Sequence, residues 1–141
     1  TMINNYAKND LLPPPVKKKY SKEHMLILVF IYYFKNILSI SDIQKLLEPI
    51  TQKYFPGEGS IDLTALYEEI MKLELEQIDP LAKDVTRKFS MANDSFPNVS
   101  EEEKDFLHKF AFICMLSFDV YVKKQVIENL IDQMSREEKT E

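Results

Sequence analysis

Apolar residues recur along the second half of this chain at the spacing of an amphipathic helix. One such stripe begins just after the two glycines and repeats every three or four positions: Ile61, Leu63, Leu66, Tyr67, Ile70 and Leu73. Charged residues fill the positions between them, so one face of the segment is apolar and the other is polar. The pattern predicts a helix that begins near residue 61 and packs along one side.

Two further signals extend this prediction toward the C-terminus. The apolar stripe continues beyond Pro80, where we expect the helix to kink or break because proline lacks the backbone N–H. Ser100 and Glu103 have the spacing of a capping box. They predict a second long helix that runs from about residue 100 to Met134.

The first half contains a run that is apolar on every side, from Met25 to Phe34. It predicts a helix over residues 21–37 with Ser21 as its N-cap, and such a helix belongs in the centre of a domain or against a second subunit. A shorter helix should follow, opened by Ser41 with Gln44 at capping-box spacing and ended by Pro49. We expect five residues of the first helix to be largely buried: Leu26, Leu28, Phe30, Ile31 and Phe34.

Glycine is scarce, and this favours helices over strands. Only Gly57 and Gly59 occur in 141 residues, whereas strand-rich folds need many tight turns with positive φ. We therefore predict an all-α protein with, at most, a two-stranded wing near residues 13–20. The domain plan is a head over residues 1–49, a linker over 50–60 and a helical C-terminal region over 61–141.

Charge is distributed unevenly along the chain. The formal net charge is −5, yet residues 1–25 hold five lysines against two acidic residues. The remaining residues hold 13 basic and 21 acidic side chains, so a basic head precedes an acidic body. A basic segment can attract phosphate locally while the rest of the molecule repels it. Alternatively, the lysines of residues 17–19 form a solvated turn with no ligand.

The composition also suggests where the protein resides. Cys114, the only cysteine, lies in an apolar run and is expected to be a buried hydrophobic residue, which favours a reducing compartment. The longest apolar run has ten residues, against about 20 for a membrane span. We expect a cytoplasmic protein with no membrane partner.

No motif for catalysis, metal binding or a cofactor is present in the sequence. His24, His108 and Cys114 are too few and too far apart to predict a metal site. Nucleophile and phosphate-loop motifs need glycines that this chain does not have. The aromatic residues between Phe30 and Phe34 are typical of core packing, with stacking on a ligand as the alternative. We expect a protein that is not an enzyme.

The first fifty residues resemble the regulator domain of the MerR family. The strings I-N-N-Y and L-L-P-P-P, the basic turn K-K-K-Y, the apolar helix and the final I-Q-K-L-L follow one another as in that family. The chain is even more similar to the bacterial family called domain of unknown function 1836, whose members share I-N-N-Y, K-K-K-Y and L-S-I-x-D-I. The first helix of the MerR helix-turn-helix has no counterpart in this sequence. Asn4 and Asn5 stand in the arginine region of the recognition helix, and Asp10 replaces the glycine that usually follows it.

The resemblance implies a partial winged helix-turn-helix that binds double-stranded DNA as a homodimer, with the helical C-terminal region serving for dimerisation. Asn4, Asn5 and Lys8 would face the major groove, where asparagine can read adenine edges. The basic turn and Tyr20 would contact phosphates: Lys17, Lys18, Lys19 and Tyr20. The function implied is transcription regulation. The alternative is a protein-interaction module that keeps the winged-helix shape but does not bind DNA.

Overall fold

The computed structural model describes residues 2–140, which form five α-helices. They are α1 (Met2–Lys8), α2 (Lys22–Phe34), α3 (Ile40–Pro49), α4 (Leu63–Asn93) and α5 (Glu101–Glu137). A π-helical turn, Ile50–Tyr54, follows α3 directly and lies within the expected linker. The described residues contain no strand, only an isolated bridge between Val16 and Lys19. The predicted all-helical class is therefore confirmed, and none of these helices is long and apolar enough to cross a membrane.

The chain divides into two compact units. Unit 1 contains the residues up to Met71 together with those from Ile127 onward, and unit 2 is Lys72–Val126. The core of unit 1 draws on four of the five helices and on the segment after α1. Its buried side chains are Leu11, Leu12, Leu26, Ile27, Ile31, Leu38, Ile43, Leu47, Leu63 and Ile131.

The central helix α2 is buried less completely than its sequence indicated. Leu26 and Ile31 are buried as predicted, and Ile27 is buried as well. The other three residues of that prediction are only partly buried, packed against the core: Leu28, Phe30 and Phe34. Met25, Tyr32 and Tyr33 are exposed. Within this chain α2 therefore has one open face, because the buried stripe spans only part of its circumference.

The cap of α2 was predicted correctly, but the cap of α3 was not. Ser21 is the N-cap of α2, and its hydroxyl accepts a hydrogen bond from the backbone N–H of His24. Helix α3 is capped by Ser39 rather than Ser41, since the Asp42 N–H donates to the Ser39 hydroxyl at 3.1 Å. The helix therefore begins two residues earlier than the capping-box spacing indicated.

Pro49 ends α3 as the sequence suggested, whereas Pro80 does not break α4. Pro49 is the last residue of α3, and the chain continues into the π-helical turn, where the Phe55 N–H donates to the Ile50 carbonyl at 2.8 Å. Helix α4 passes Pro80 without a break. Proline keeps a helical φ and lacks only the N–H, and Pro80 lies on an exposed stretch where water can bind the carbonyl one turn before it.

Helix α1 ends in a Schellman motif that explains the unusual residue after it. The Leu11 N–H donates to the Tyr6 carbonyl at 2.9 Å, and the Asp10 N–H donates to the Ala7 carbonyl at 3.3 Å. Asp10 has a φ of 57°, in the left-handed region where glycine is usual. Leu11 is fully buried and Tyr6 packs on the same core. The motif thus turns the chain from α1 into the core.

Unit 2 contains parts of α4 and α5 and has almost no buried interior. Lys88 and Ala92 are its only buried residues among those described. The Lys88 ammonium forms ion pairs with Asp84, at 2.5 Å, and with Asp119. Lys88, together with Arg87, lowers the pKa of Asp84, so this carboxylate stabilises the unit above about pH 4 and the effect is lost in stronger acid.

Unit 2 also contains an aromatic contact between α4 and α5, and two of its other features bear on expectations from the sequence. The Phe89 and Phe112 rings meet edge to face at 5.5 Å. The Ser100 hydroxyl donates to the Glu103 carboxylate at 2.8 Å, at the start of α5 where a capping box was expected. Cys114 is exposed, so the expectation of a buried thiol was wrong. Its neighbours are apolar, but residues 2–140 do not cover this side of α5.

Candidate nucleic-acid interface

Helix α1 presents its polar residues on the face that points away from the core. Tyr6 and Ala7 are partly buried on one side. Asn4, Asn5 and Lys8 are exposed and lie on the opposite side, because residues three and four apart share a helix face. Asn9 donates to the Asn5 backbone carbonyl from its side-chain amide, at 2.8 Å, and from its backbone N–H, at 3.0 Å, and neither bond uses the Asn5 side chain. The three residues assigned to the major groove therefore share one surface.

The basic segment forms a tight turn from Val16 to Lys19. The Lys19 N–H donates to the Val16 carbonyl at 2.9 Å, and the two central residues, Lys17 and Lys18, have φ values of 50° and 60°. Positive φ at both central positions is the signature of a type I′ turn, which prefers asparagine and glycine. A residue with a Cβ in this conformation costs roughly 1–2 kcal/mol. Lysine at both positions is therefore an unfavourable choice for stability.

The turn concentrates positive charge on the surface. Lys17, Lys18 and Lys19 are all exposed, as are Val16 and Tyr20 beside them. In the described part of the chain, neither these three lysines nor Lys8 forms an ion pair with an acidic side chain. Their charges are thus not neutralised locally, and a phosphate would not have to displace a carboxylate.

A buried histidine holds the turn against the core. His24 is only 3% exposed, and its Nδ1 accepts a hydrogen bond from the Ser21 backbone N–H at 3.0 Å. Its Nε2 lies 3.3 Å from the Pro14 carbonyl oxygen, which can only accept, so Nε2 is the donor. The imidazole therefore joins the start of α2 to the proline run that precedes the turn.

Aromatic contacts complete the support of the turn. The His24 ring meets the Tyr20 ring at 5.2 Å and the Phe55 ring at 4.8 Å, both edge to face. Tyr20 is thereby held beside the lysines while part of its ring stays exposed. From the sequence, His24 was considered only as a possible metal ligand. Its role depends on Pro14 and Phe55, which the sequence does not place near it.

An open, polar groove of about 410 Å³ lies next to the C-terminal end of α1. It is lined by Asp10, Gln44, Glu48, Thr51 and Gln52. The Gln44 side-chain amide donates to the Asn9 carbonyl at 2.5 Å, and this bond fixes the end of α1 on α3. The two carboxylates would repel a phosphate, so the groove marks an edge of the basic surface and is not part of it. Within residues 2–140 no cluster of three His, Cys, Asp or Glu side chains could hold a metal ion.

Because two lysines of the turn are strained, the effect of the turn on stability can be tested separately from the effect of its charge on binding. We expect the pair Lys17→Asn and Lys18→Gly to raise the free energy of unfolding by about 1–2 kcal/mol, since both new residues adopt positive φ more readily. The same pair removes two positive charges and should weaken any binding of polyanions. Chemical denaturation and a DNA-binding assay on the same samples measure the two effects.

The matched control is the pair Lys17→Ala and Lys18→Ala, which removes the same charges but keeps a Cβ at both positions. It should weaken binding equally and give no gain in stability. An equal gain in the alanine pair would contradict the account of the turn.

Comparison with known proteins found one similarity, in the N-terminal part of the chain. No curated protein and no solved structure matches this sequence. A family model does match, over residues 1–70, a range that contains α1, the basic turn, α2, α3 and the beginning of α4. Its description is Domain of unknown function (DUF1836), and residues 1–70 of this chain are therefore similar to that family.

Proposed function

We propose that this protein is a DNA-binding transcription regulator whose contacts to DNA come from α1 and the basic turn of residues 16–19. The observation that carries the proposal is the turn itself. Three exposed lysines without acidic partners occupy a turn in which two of them are strained. Strain that stability does not explain is characteristic of a functional position, and duplex DNA is a ligand that rewards clustered positive charge.

The exposed face of α1 supplies the proposed contacts to bases. A helix with its side chains is about 10–12 Å in diameter, which fits a major groove about 12 Å wide. An asparagine amide can donate to N7 and accept from N6 of adenine, so Asn4 and Asn5 suit a site that contains adenine. Lys8 lies on the same face and would reach a phosphate or a guanine edge. We propose that α1 and the turn correspond to the recognition helix and a reduced wing of a MerR-type winged helix.

The lysines of the turn and Tyr20 have a different proposed role. Ammonium groups and a phenol hydroxyl bind phosphate oxygens irrespective of the base sequence, so they fix the position of the protein on the duplex. His24 and Phe55 hold Tyr20 beside the lysines and thereby keep the phosphate contacts at a constant place relative to α2.

Regulation would require two such heads in a homodimer bound to a palindromic site. We expect such a regulator to act in the cytoplasm and to catalyse no reaction.

A second candidate function is a protein-interaction module that does not bind DNA. It is favoured by the net charge of −5 and by the open face of α2. Met25, Tyr32 and Tyr33 are exposed there, and Lys35 lies over the Tyr32 ring at 5.0 Å. Exposed apolar and aromatic residues on one helix face are typical of a surface that another protein covers.

One experiment distinguishes the two candidate functions. The full-length protein is used to select duplexes from a pool of random DNA sequences. The proposed function predicts binding of all duplexes at low salt and enrichment of one sequence motif. It also predicts that Asn4→Ala or Asn5→Ala relaxes the preference at one base pair by about 1–3 kcal/mol. If the protein binds no duplex even at low salt, the interaction module is the better description.

A further inference from the structure

The open face of α2 is a continuous row of side chains along one side of the helix. Met25, Tyr32 and Tyr33 are each between 52% and 62% exposed, and the partly buried Val29 lies among them. Residues three and four positions apart share a helix face, so these side chains and the exposed Asn36 form one row. We call these five residues the α2 stripe. The part of the chain that the structure describes leaves the stripe uncovered.

Positive charge stands at both ends of the α2 stripe. Lys22 is the first residue of α2, and Lys35 is its C-cap, with the Lys35 ammonium over the Tyr32 ring at 5.0 Å. Both lysines are exposed, and among the described residues neither forms an ion pair with an acidic side chain. Glu23, the only acidic residue of α2, lies about 160° around the helix from Met25. The stripe is therefore apolar in the middle and basic at both ends.

The area of the α2 stripe is too small for a permanent interface. Its two tyrosines are slightly more than half exposed and together present about one whole aromatic side chain, or roughly 150–250 Å². Met25 and Val29 add to this area, but the total stays well below the ~800 Å² that a stable interface buries on each partner. A second copy of the chain would also bring lysine against lysine in either direction of pairing. Area and charge therefore favour a short acidic segment of a different protein.

The shape of the α2 stripe favours a helical segment. Extended segments bind by adding a strand to the edge of a sheet, and α2 and its neighbours offer no such edge. A second helix can pack on the stripe, because side chains at intervals of three and four residues form ridges that fit the grooves of another helix. Lys22 and Lys35 are about 20 Å apart along the helix axis. Acidic residues about 13 positions apart on the partner helix would reach both lysines.

Single-stranded nucleic acid fits the α2 stripe less well. It binds by stacking successive bases on open aromatic rings and by placing phosphates along a positively charged groove. The Tyr32 and Tyr33 rings instead meet edge to face at 6.1 Å, and Lys35 covers one side of the Tyr32 ring. Positive charge lies only at the two ends, so the middle of the stripe suits apolar side chains better than phosphates.

We propose that the α2 stripe binds an amphipathic helix of another protein, in which an apolar row has acidic residues at both ends. Met25, Val29 and the two tyrosines contact the apolar row, and Lys22 and Lys35 pair with the carboxylates. This inference names the partner class of the surface that favours the second candidate function. It holds whether or not the basic turn binds DNA.

Selection from a peptide library by the full-length protein tests the proposal. The library contains random peptides of about 16 residues, slightly longer than the distance between the two lysines requires. We expect the enriched peptides to carry apolar residues at intervals of three and four positions, with Asp or Glu toward both ends. Enrichment of no peptide, or of peptides without acidic ends, would overturn the proposal.

Two pairs of aromatic substitutions locate the binding surface. Tyr32→Ala with Tyr33→Ala should weaken the binding of an enriched peptide by about tenfold or more. The matched control, Phe118→Ala with Tyr121→Ala, removes two equally exposed rings from α5 and should leave the affinity unchanged. Circular dichroism checks that both variants are helical. Duplex DNA binding by the Tyr32 and Tyr33 variant should equal that of the wild type, so this result is separate from the proposed DNA contacts.

Charge reversal tests the two ends of the α2 stripe. Lys22→Glu with Lys35→Glu should weaken the binding of the same peptide by about tenfold or more. A peptide with lysines in place of its acidic residues should bind this variant more tightly than it binds the wild type. Full affinity in the charge-reversed or tyrosine variant, or a single-stranded oligonucleotide that binds the stripe more tightly than any enriched peptide, would contradict the proposal.

Discussion

Replacing Lys17, Lys18 and Lys19 together by alanine is expected to weaken binding of the full-length protein to duplex DNA on the order of 100-fold at 0.1 M salt. Each lysine that contacts a phosphate releases about one counterion, so the slope of log K against log salt should become shallower by roughly three. The loss should be the same for every sequence, because phosphate contacts do not distinguish bases. Fluorescence anisotropy at several salt concentrations measures both quantities.

The control for this prediction removes three lysines elsewhere. Lys83, Lys109 and Lys139 are exposed, and the first two take part only in surface ion pairs, which contribute little to stability. Their replacement by alanine changes the net charge by the same amount. If DNA binding depends on total charge alone, the two triple variants will lose affinity equally, and the basic turn then has no special role.

Truncating the core of unit 1 should have the largest effect on stability. Ile31 is fully buried on α2, in the cluster that joins this helix to α3 and to residues of α4 and α5 within the unit. Ile31→Ala removes three carbon atoms and leaves a cavity, which costs about 2–5 kcal/mol. We expect a correspondingly lower midpoint in urea denaturation followed by circular dichroism.

The neighbouring residue supplies a direct comparison. Tyr32 is exposed on the open face of α2, so Tyr32→Ala should change the free energy of unfolding by no more than about 0.5 kcal/mol. A large loss for Tyr32→Ala with a small loss for Ile31→Ala would mean that the buried face of α2 has been assigned to the wrong side.

Much of the helical architecture could be predicted from the sequence because it depends on local chemistry. The Ser21 cap follows from a polar residue ahead of an apolar run, and the scarcity of glycine excludes most strand-rich folds. The start of α3 was predicted wrongly. Ser41 and Gln44 have the spacing of a capping box, but Ser39 caps the helix, so residue spacing alone did not identify the cap.

The support of the basic turn could not have been predicted in the same way. A type I′ turn with two lysines goes against the preference for asparagine and glycine, so the sequence of residues 16–19 does not indicate it. The left-handed conformation of Asp10 is not indicated by the sequence either, because glycine is the usual residue in that conformation. His24 bonds to Pro14, ten residues earlier, and touches Phe55, far along the chain. Contacts of that kind arise only when the core of unit 1 has formed.

The open faces of α2 and α5 could not be predicted from the sequence, for a different reason. A helix that is apolar all round predicts burial, but the pattern does not say whether the same chain or another molecule provides the cover. Met25 on α2 and Phe106 on α5 are both exposed within this chain. Their burial would therefore depend on association with another molecule.

The most direct test of the central claim is a nuclear magnetic resonance titration of the ¹⁵N-labelled full-length protein with a mixed-sequence DNA duplex at low salt. If α1 and the basic turn contact DNA, the amide signals that shift should be concentrated in residues 2–20, with those of the three turn lysines among the largest. Signals of unit 2 should stay in place. No shifts, or shifts confined to the open face of α2 or to unit 2, would contradict the proposed DNA contact.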